Sequence, residues 1–358
     1  MRTHCGLIFV LFLILAVGQA HAADKVRIQD TAGRTVDIPA DPQRIVSVTV
    51  VMPPLLFAVD GNGNRIKGMH PVTQAAVKSS ALAKMAPELL DVPTGFVKGA
   101  YKVNIEELLK LQPDLVFQVG AEPREIEKIE AAGIPVLSTD SSDFYSYFTG
   151  YLRMLGQVLN KEQRAARLRK DFDDELERIR EKVAHVAPAE RPKGLILFNA
   201  ERLMATGSGS FANFWLENTG AVNVAAELRT SPRGATVGME QILAWDPDVI
   251  YITNFCQAKP EDLFDNRIPG QDWSAVRAVR NKRVYKIPLG EYRWYPPSAD
   301  SVLMLQWMAA KNHPELFGDL DMEAAIKGHF KKVYAFELTD ADVAKILDPD
   351  PTIDWKWN

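Results

Sequence analysis

Arg293 is set among Tyr292, Trp294 and Tyr295 and runs into Pro296-Pro297. A guanidinium brings a permanent charge and a planar fork of donors, and the rings bring apolar area. The run therefore suits an anion or a flat, conjugated metal chelate. Packing of Trp294 and Tyr295 on the two prolines is the plain structural alternative. A second candidate is Gly207-Ser208-Gly209-Ser210. It lacks the Gly-Lys-Ser/Thr that completes a phosphate loop, yet its amides, ahead of a predicted helix, could receive an oxyanion beside Ser208 and Ser210. His70 could ligate a haem or a metal, but no two histidines share metal-ligand spacing, and neither a bound metal nor a cofactor is predicted. No Gly-x-Ser-x-Gly, His-Glu-x-x-His or Cys-x-x-Cys is present, so binding rather than catalysis is expected. A secreted hydrolase or metal-handling reductase is the competing class.

These residues need a frame, and the frame is read around the stretch Lys161–Val186. Its apolar residues Leu168, Phe172, Leu176, Ile179, Val183 and Val186 fall three and four apart, with charged residues between them and Pro188 beyond. The spacing predicts one helix of about 40 Å with a single apolar stripe. A short dimeric coiled coil would show the same spacing, though fewer than four heptads are present. Before this helix, Val26–Ile28 and Thr35–Ile38 read as a hairpin, and Arg44–Val48, Ile66–Met69, Leu115–Val119 and Val136–Leu137 read as strands separated by helical segments. After it, strands Gly194–Phe198, Asp248–Ile252 and Arg283–Ile287 alternate with helices, and Ser298 is expected to cap a helix reaching Lys311. A helix over Met322–Tyr334 and a tail from Asp348 complete the chain.

The expected architecture is therefore α/β: two Rossmann-like lobes, residues 23–160 and 187–358, joined by the single backbone helix 161–186, with a ligand cleft between them. A chain of 358 residues, 47% hydrophobic, can bury two cores. Residues 1–22 read as a secretory signal, with basic Arg2, the apolar run Leu7–Val17 and Ala20-His21-Ala22 at the cleavage point. Cys5 precedes the apolar run, so it is not placed as a lipid attachment site. Only Cys256 remains after cleavage, and it can form no internal disulfide. Without Arg2 the chain carries 41 basic and 46 acidic side chains, which gives no electrostatic footprint for nucleic acid. A soluble, monomeric periplasmic protein is expected.

An internal repeat relates the two lobes. Residues 104–117 align without a gap to residues 238–251, each a helix, a Pro-Asp turn and a buried strand. These repeats resemble a known family, as do Asp30–Val36 with Arg44–Ser47, Leu216–Ala225, and Trp273 with Val284-Tyr285. The family is the helical-backbone substrate-binding proteins of ATP-binding-cassette importers, which serve ferric siderophores, haem, cobalamin and, in one branch, molybdate or tungstate. The loop Val48–Pro54 departs from the Ser-Pro and Asn-Thr-Glu pattern of the cobalamin members, whereas Arg293–Ala299 and Phe330–Tyr334 look closer to the oxyanion branch. The resemblance implies that Glu106 and Glu240, equivalent in the repeats, dock on arginines of an inner-membrane permease. Favourable interaction with the helix dipole would explain either acid alone. With the ligand expected at the carboxyl ends of the strands, the candidate binding residues are Met52, His70, Tyr101, Ser208, Ser210, Asn254, Arg293, Trp294 and Tyr295. The function read from these features is a receptor for a metal chelate of the iron-siderophore, haem or corrinoid class, with a molybdate or tungstate receptor as the alternative.

Overall fold

The structure is a computed structural model and describes residues 24–140, 143–231 and 233–350. The expected signal segment and residues 351–358 lie outside the described residues. Alternating apolar residues make the opening hairpin, in which Lys25–Gln29 pairs antiparallel with Thr35–Pro39. Asp30 closes its turn by accepting from the Ala32 and Arg34 amides, and its other oxygen accepts from the Ser138 amide. That last bond ties the hairpin to the first sheet.

The first sheet is wholly parallel, in the order Ile66–Met69, Ile45–Ser47, Leu115–Val119, Val136–Thr139. Its near-continuous apolar strands suit a sheet covered on both faces. The second sheet has a parallel centre of Lys193–Asn199, Val249–Ile252 and Val284–Lys286, and Val222–Asn223 also pairs parallel with the first of these. Met204–Ala205 and Ala235–Thr236 extend it antiparallel at one edge. The aligned repeats occupy equivalent places, helix Ile105–Lys110 before strand Leu115–Val119 and helix Met239–Trp245 before strand Val249–Ile252. Their shared Pro-Asp has a structural reason. Asp114 accepts from the Arg44 amide and Asp248 from the Lys193 amide, so each aspartate pins the start of the neighbouring strand.

The connecting helix runs Glu162–Val183, 22 residues, or about 33 Å. It is shorter than the sequence reading mainly at its far end, where residues 184–186 turn and Ala187 is already extended ahead of Pro188; at the near end Asn160, left-handed at φ 55°, separates it from helix Phe144–Leu159. Its stripe of Ala165, Leu168, Phe172, Leu176, Ile179 and Val183 is buried. Helices Phe144–Leu159 and Ser301–Asn312 pack against the connecting helix. The stripe that a coiled coil would need is thus covered within the chain. Phe172 meets Phe148 at 4.9 Å and Phe214 at 6.1 Å, and Phe144 stacks on Phe214 at 4.3 Å, so aromatic side chains knit both lobes to the helix. One hydrophobic core runs from Ile45 and Leu55 through the connecting helix to Trp215 and Leu303.

Helix Ser301–Asn312 starts behind Asp300, not at Ser298. Ser298 instead donates its amide to the Ser301 hydroxyl. After helix Met322–Tyr334 comes a further helix, Asp340–Leu347, closed by a Thr339–Asp342 capping box. These terminal helices fold back on the first lobe. Tyr334 stacks on Phe57 at 6.0 Å and Lys84 pairs with Asp342. At the junction, Arg164 of the connecting helix donates to the carbonyls of Ala58 and Val333.

Candidate ligand-binding site

The carboxyl ends of the parallel strands in both sheets face a cavity of about 230 Å³. The first lobe lines it with Thr49, Val50 and Val51 beyond strand Ile45–Ser47, Tyr101 from a hairpin turn, Val119, Thr139 and Asp140 at strand ends, and Tyr147 from the first turn of its helix. The second lobe contributes Phe198, Phe211, Arg233, Phe255, Tyr295 and Pro296. Crevices at strand carboxyl ends are where open α/β sheets bind ligands, because the connecting loops diverge there.

The polar groups of the wall are threonines, phenols, a guanidinium and one carboxylate. Thr139 donates its hydroxyl proton to the Gln118 carbonyl, so Thr49, 2.6 Å away, donates to Thr139. Both threonine protons are then committed. The Tyr295 hydroxyl is buried near Thr206, Ser210 and the Phe211 backbone and the Tyr151 hydroxyl near Thr139 and Tyr147, neither in a hydrogen bond of good geometry, and Tyr151 lies behind Tyr147, their rings 4.1 Å apart. Burial pushes the Tyr295 phenol up to about 12 and raises Tyr147 further, so these phenols stay protonated at neutral pH. Arg233 stands over the Tyr101 ring at 5.8 Å, bringing second-lobe charge to a first-lobe aromatic across the cleft. Asp140 is the exposed carboxylate of the lining. Stacked Phe198 and Phe255, 4.7 Å apart, make the apolar floor.

Of the nine binding residues expected from the sequence, Tyr101 and Tyr295 line this cavity. Met52 opens helix Met52–Asp60 and is buried in the core. His70 caps helix Pro71–Ser79. Its Nδ1 accepts from the Val72 amide at 3.1 Å and its Nε2 therefore donates to the Ala100 carbonyl at 2.6 Å. The ring is fully buried, which holds the imidazole down at about 4 and leaves it neutral. Ser208 donates to the Leu228 carbonyl. Ser210 donates to the Gly207 carbonyl and caps helix Phe211–Asn218. The Gly207 amide is taken by Thr230, so the Gly-Ser loop is folded against residues 228–230. Trp294 is core, its indole donating to Asp300.

Arg293 and Asn254 sit one layer behind the lining. The guanidinium lies 4.6 Å over Phe255 and donates to the carbonyls of Asn254 and Val72 and to the Tyr292 hydroxyl. Its Nη2 and the Asn254 Oδ1 have no hydrogen-bond partner. Burial lowers the Arg293 pKa, but an arginine keeps its charge. The Val72 contact and an Ala81 amide bond to the Gly290 carbonyl pin this second-lobe loop to the first lobe. Thr49 and Thr139 were open to detection as polar residues at strand ends. Arg233, in an irregular segment with no periodicity, carried no sequence signal.

Residues 73–289 match the family of periplasmic binding proteins. The chain is a periplasmic binding protein. A solved periplasmic solute-binding protein from Veillonella parvula is 32% identical, with a TM-score of 0.82 over 91% of this chain and 97% of that one. The molybdate-binding protein MolA of Haemophilus influenzae is 26% identical over 70% of this chain and 75% of its own length. The Helicobacter pylori CeuE Ni-His complex shares the fold at 22% identity, with a TM-score of 0.73 over 90% of this chain and 99% of that one. Both α/β lobes of the receptor agree with that fold, and no described helix is long and apolar enough to cross a membrane.

Proposed function

We propose that this receptor carries a small oxyanion of the molybdate or tungstate class to an importer in the inner membrane. The observation that carries the reading is the cavity itself, about 230 Å³ with a guanidinium and protonated phenols around an apolar floor. Pockets for drug-sized ligands run from roughly 300 to 1,000 Å³, and ferric siderophores, haem and corrinoids are at least that large. The similarity to a molybdate-binding protein supports the same direction. A metal chelate is the second reading, favoured by the aromatic floor and by a relative solved with a Ni-His complex. A chelate of that small size is the one the volume admits. Titration calorimetry with molybdate, tungstate, sulfate, nickel-histidine and a ferric siderophore separates these readings. Molybdate or tungstate is expected to bind above the others; siderophore binding without oxyanion binding would overturn the proposal.

Delivery is assigned to Glu106 and Glu240, both exposed in the first turns of equivalent helices and both outside any ion pair among the described residues. An exposed acid adds at most about 1 kcal/mol to its helix, whereas complementary charge sets register between partners. Glu106→Gln with Glu240→Gln should leave ligand affinity intact and abolish stimulation of the importer's ATP hydrolysis. Wild-type stimulation would remove the assignment. Export as a monomer beginning at Ala23, without an acyl anchor, completes the reading, and amino-terminal sequencing with sedimentation of the secreted protein tests it.

A further inference from the structure

The two aligned repeats share four identical residues: glutamate at 106 and 240, leucine at 109 and 243, and the Pro-Asp pairs at 113–114 and 247–248. The fold accounts for the Pro-Asp pairs, whose aspartates pin neighbouring strands. The buried positions between them have drifted, Leu108 against Ile242, because any apolar side chain of similar size serves there. Leu109 and Leu243 are different. They are 45% and 41% exposed, and with Val222 they are the large hydrophobic residues left most open among the described residues. Single exposed leucines are ordinary on protein surfaces. Two at the same register of a repeat, each three residues after an exposed glutamate, are not accounted for by folding.

Residues three apart on a helix share a face, so each lobe presents one acid beside one leucine. Each patch follows a cleft-lining residue closely in the chain. Tyr101 and Arg233, which line the cavity, lie five and seven residues ahead of Glu106 and Glu240 in the chain. We infer that Glu106-Leu109 and Glu240-Leu243 form paired contact patches for the importer's permease, with each leucine entering an apolar pocket next to a basic side chain of the partner. This rests on the docking role proposed above for the two glutamates and adds the part that supplies affinity. Charge pairs at a rim set encounter rate and register, while hot spots are desolvated apolar anchors. A duplicated patch also fits a two-fold permease, with one copy for each subunit.

The test compares three variants for binding to the cognate importer in lipid nanodiscs and for stimulation of its ATP hydrolysis: Leu109→Gln with Leu243→Gln, Glu106→Gln with Glu240→Gln, and Val222→Gln as an exposed apolar control. Glutamine keeps helix propensity, and retained cavity-ligand affinity reports the fold. The leucine pair is expected to weaken receptor–importer affinity at least tenfold, mainly through faster dissociation. The control should be unchanged. If the leucine pair docks like the wild type while the glutamate pair does not, the inference fails and the docking role of the acids stands. If neither pair weakens docking, both fail. A leucine pair that loses cavity-ligand affinity marks a folding role and overturns the inference as well.

Discussion

At the residue scale, the cleft relies on side chains whose proton states are held by burial. Arg233 is the guanidinium in the lining, and replacing it with glutamine removes the charge while leaving a donor. Losing one charge-assisted hydrogen bond costs about 1.5–3 kcal/mol, so calorimetry should show the oxyanion bound roughly 10- to 100-fold more weakly, with the fold intact. His70 has another job. Its imidazole sits at about 4 when folded, against about 6.5 in an unfolded chain. The unfolded state therefore binds more protons between these values, and folding stability falls as pH drops through 6.5 toward 4. The loss approaches about 3 kcal/mol. Asparagine at this helix cap keeps an acceptor for the first turn and removes the titration. Thermal melts from pH 7 to 4.5 should fall more steeply for the wild type than for His70→Asn. A histidine in a cleft loop reads from sequence as a ligand candidate, because nothing local reveals that the Ala100 carbonyl will close over it from 30 residues away. The same holds for Arg293, whose aromatic neighbours announced a charge among rings but not the wall of Phe255 in front of it.

At the element scale, the connecting helix is held by its ends as well as by its stripe. Arg164 links it to the carbonyls of Ala58 and Val333, and so to a helix from each end of the chain. Arg164→Ala should cost about 2 kcal/mol. The damage should be local first, with amides of Met322–Tyr334 losing hydrogen-exchange protection before the central strands. The strands were legible as short apolar runs bounded by turn residues, and the long helix and the repeat as patterns sustained over many residues. The far end of the long helix was not, since Val186 continues the apolar spacing although the helix stops at Val183. The short helix Asp340–Leu347 was missed for a related reason, eight residues being too few for periodicity to stand out.

At the scale of the whole molecule, one apolar core passes from the first lobe through the connecting helix into the second. The Gly290–Arg293 loop and the terminal helices add polar ties between the lobes. Large hinge motion would have to break these together, so solution scattering should show only a small change in radius of gyration between empty and oxyanion-bound protein. A large fall on binding would contradict a rigid core. This rigidity has a consequence for traffic at the membrane. If loading barely alters the receptor's outline, empty copies present nearly the same face to the importer as full ones and occupy it for much of the time. Uptake would then peak at an intermediate receptor abundance and decline beyond it, because surplus empty receptors queue at the same door.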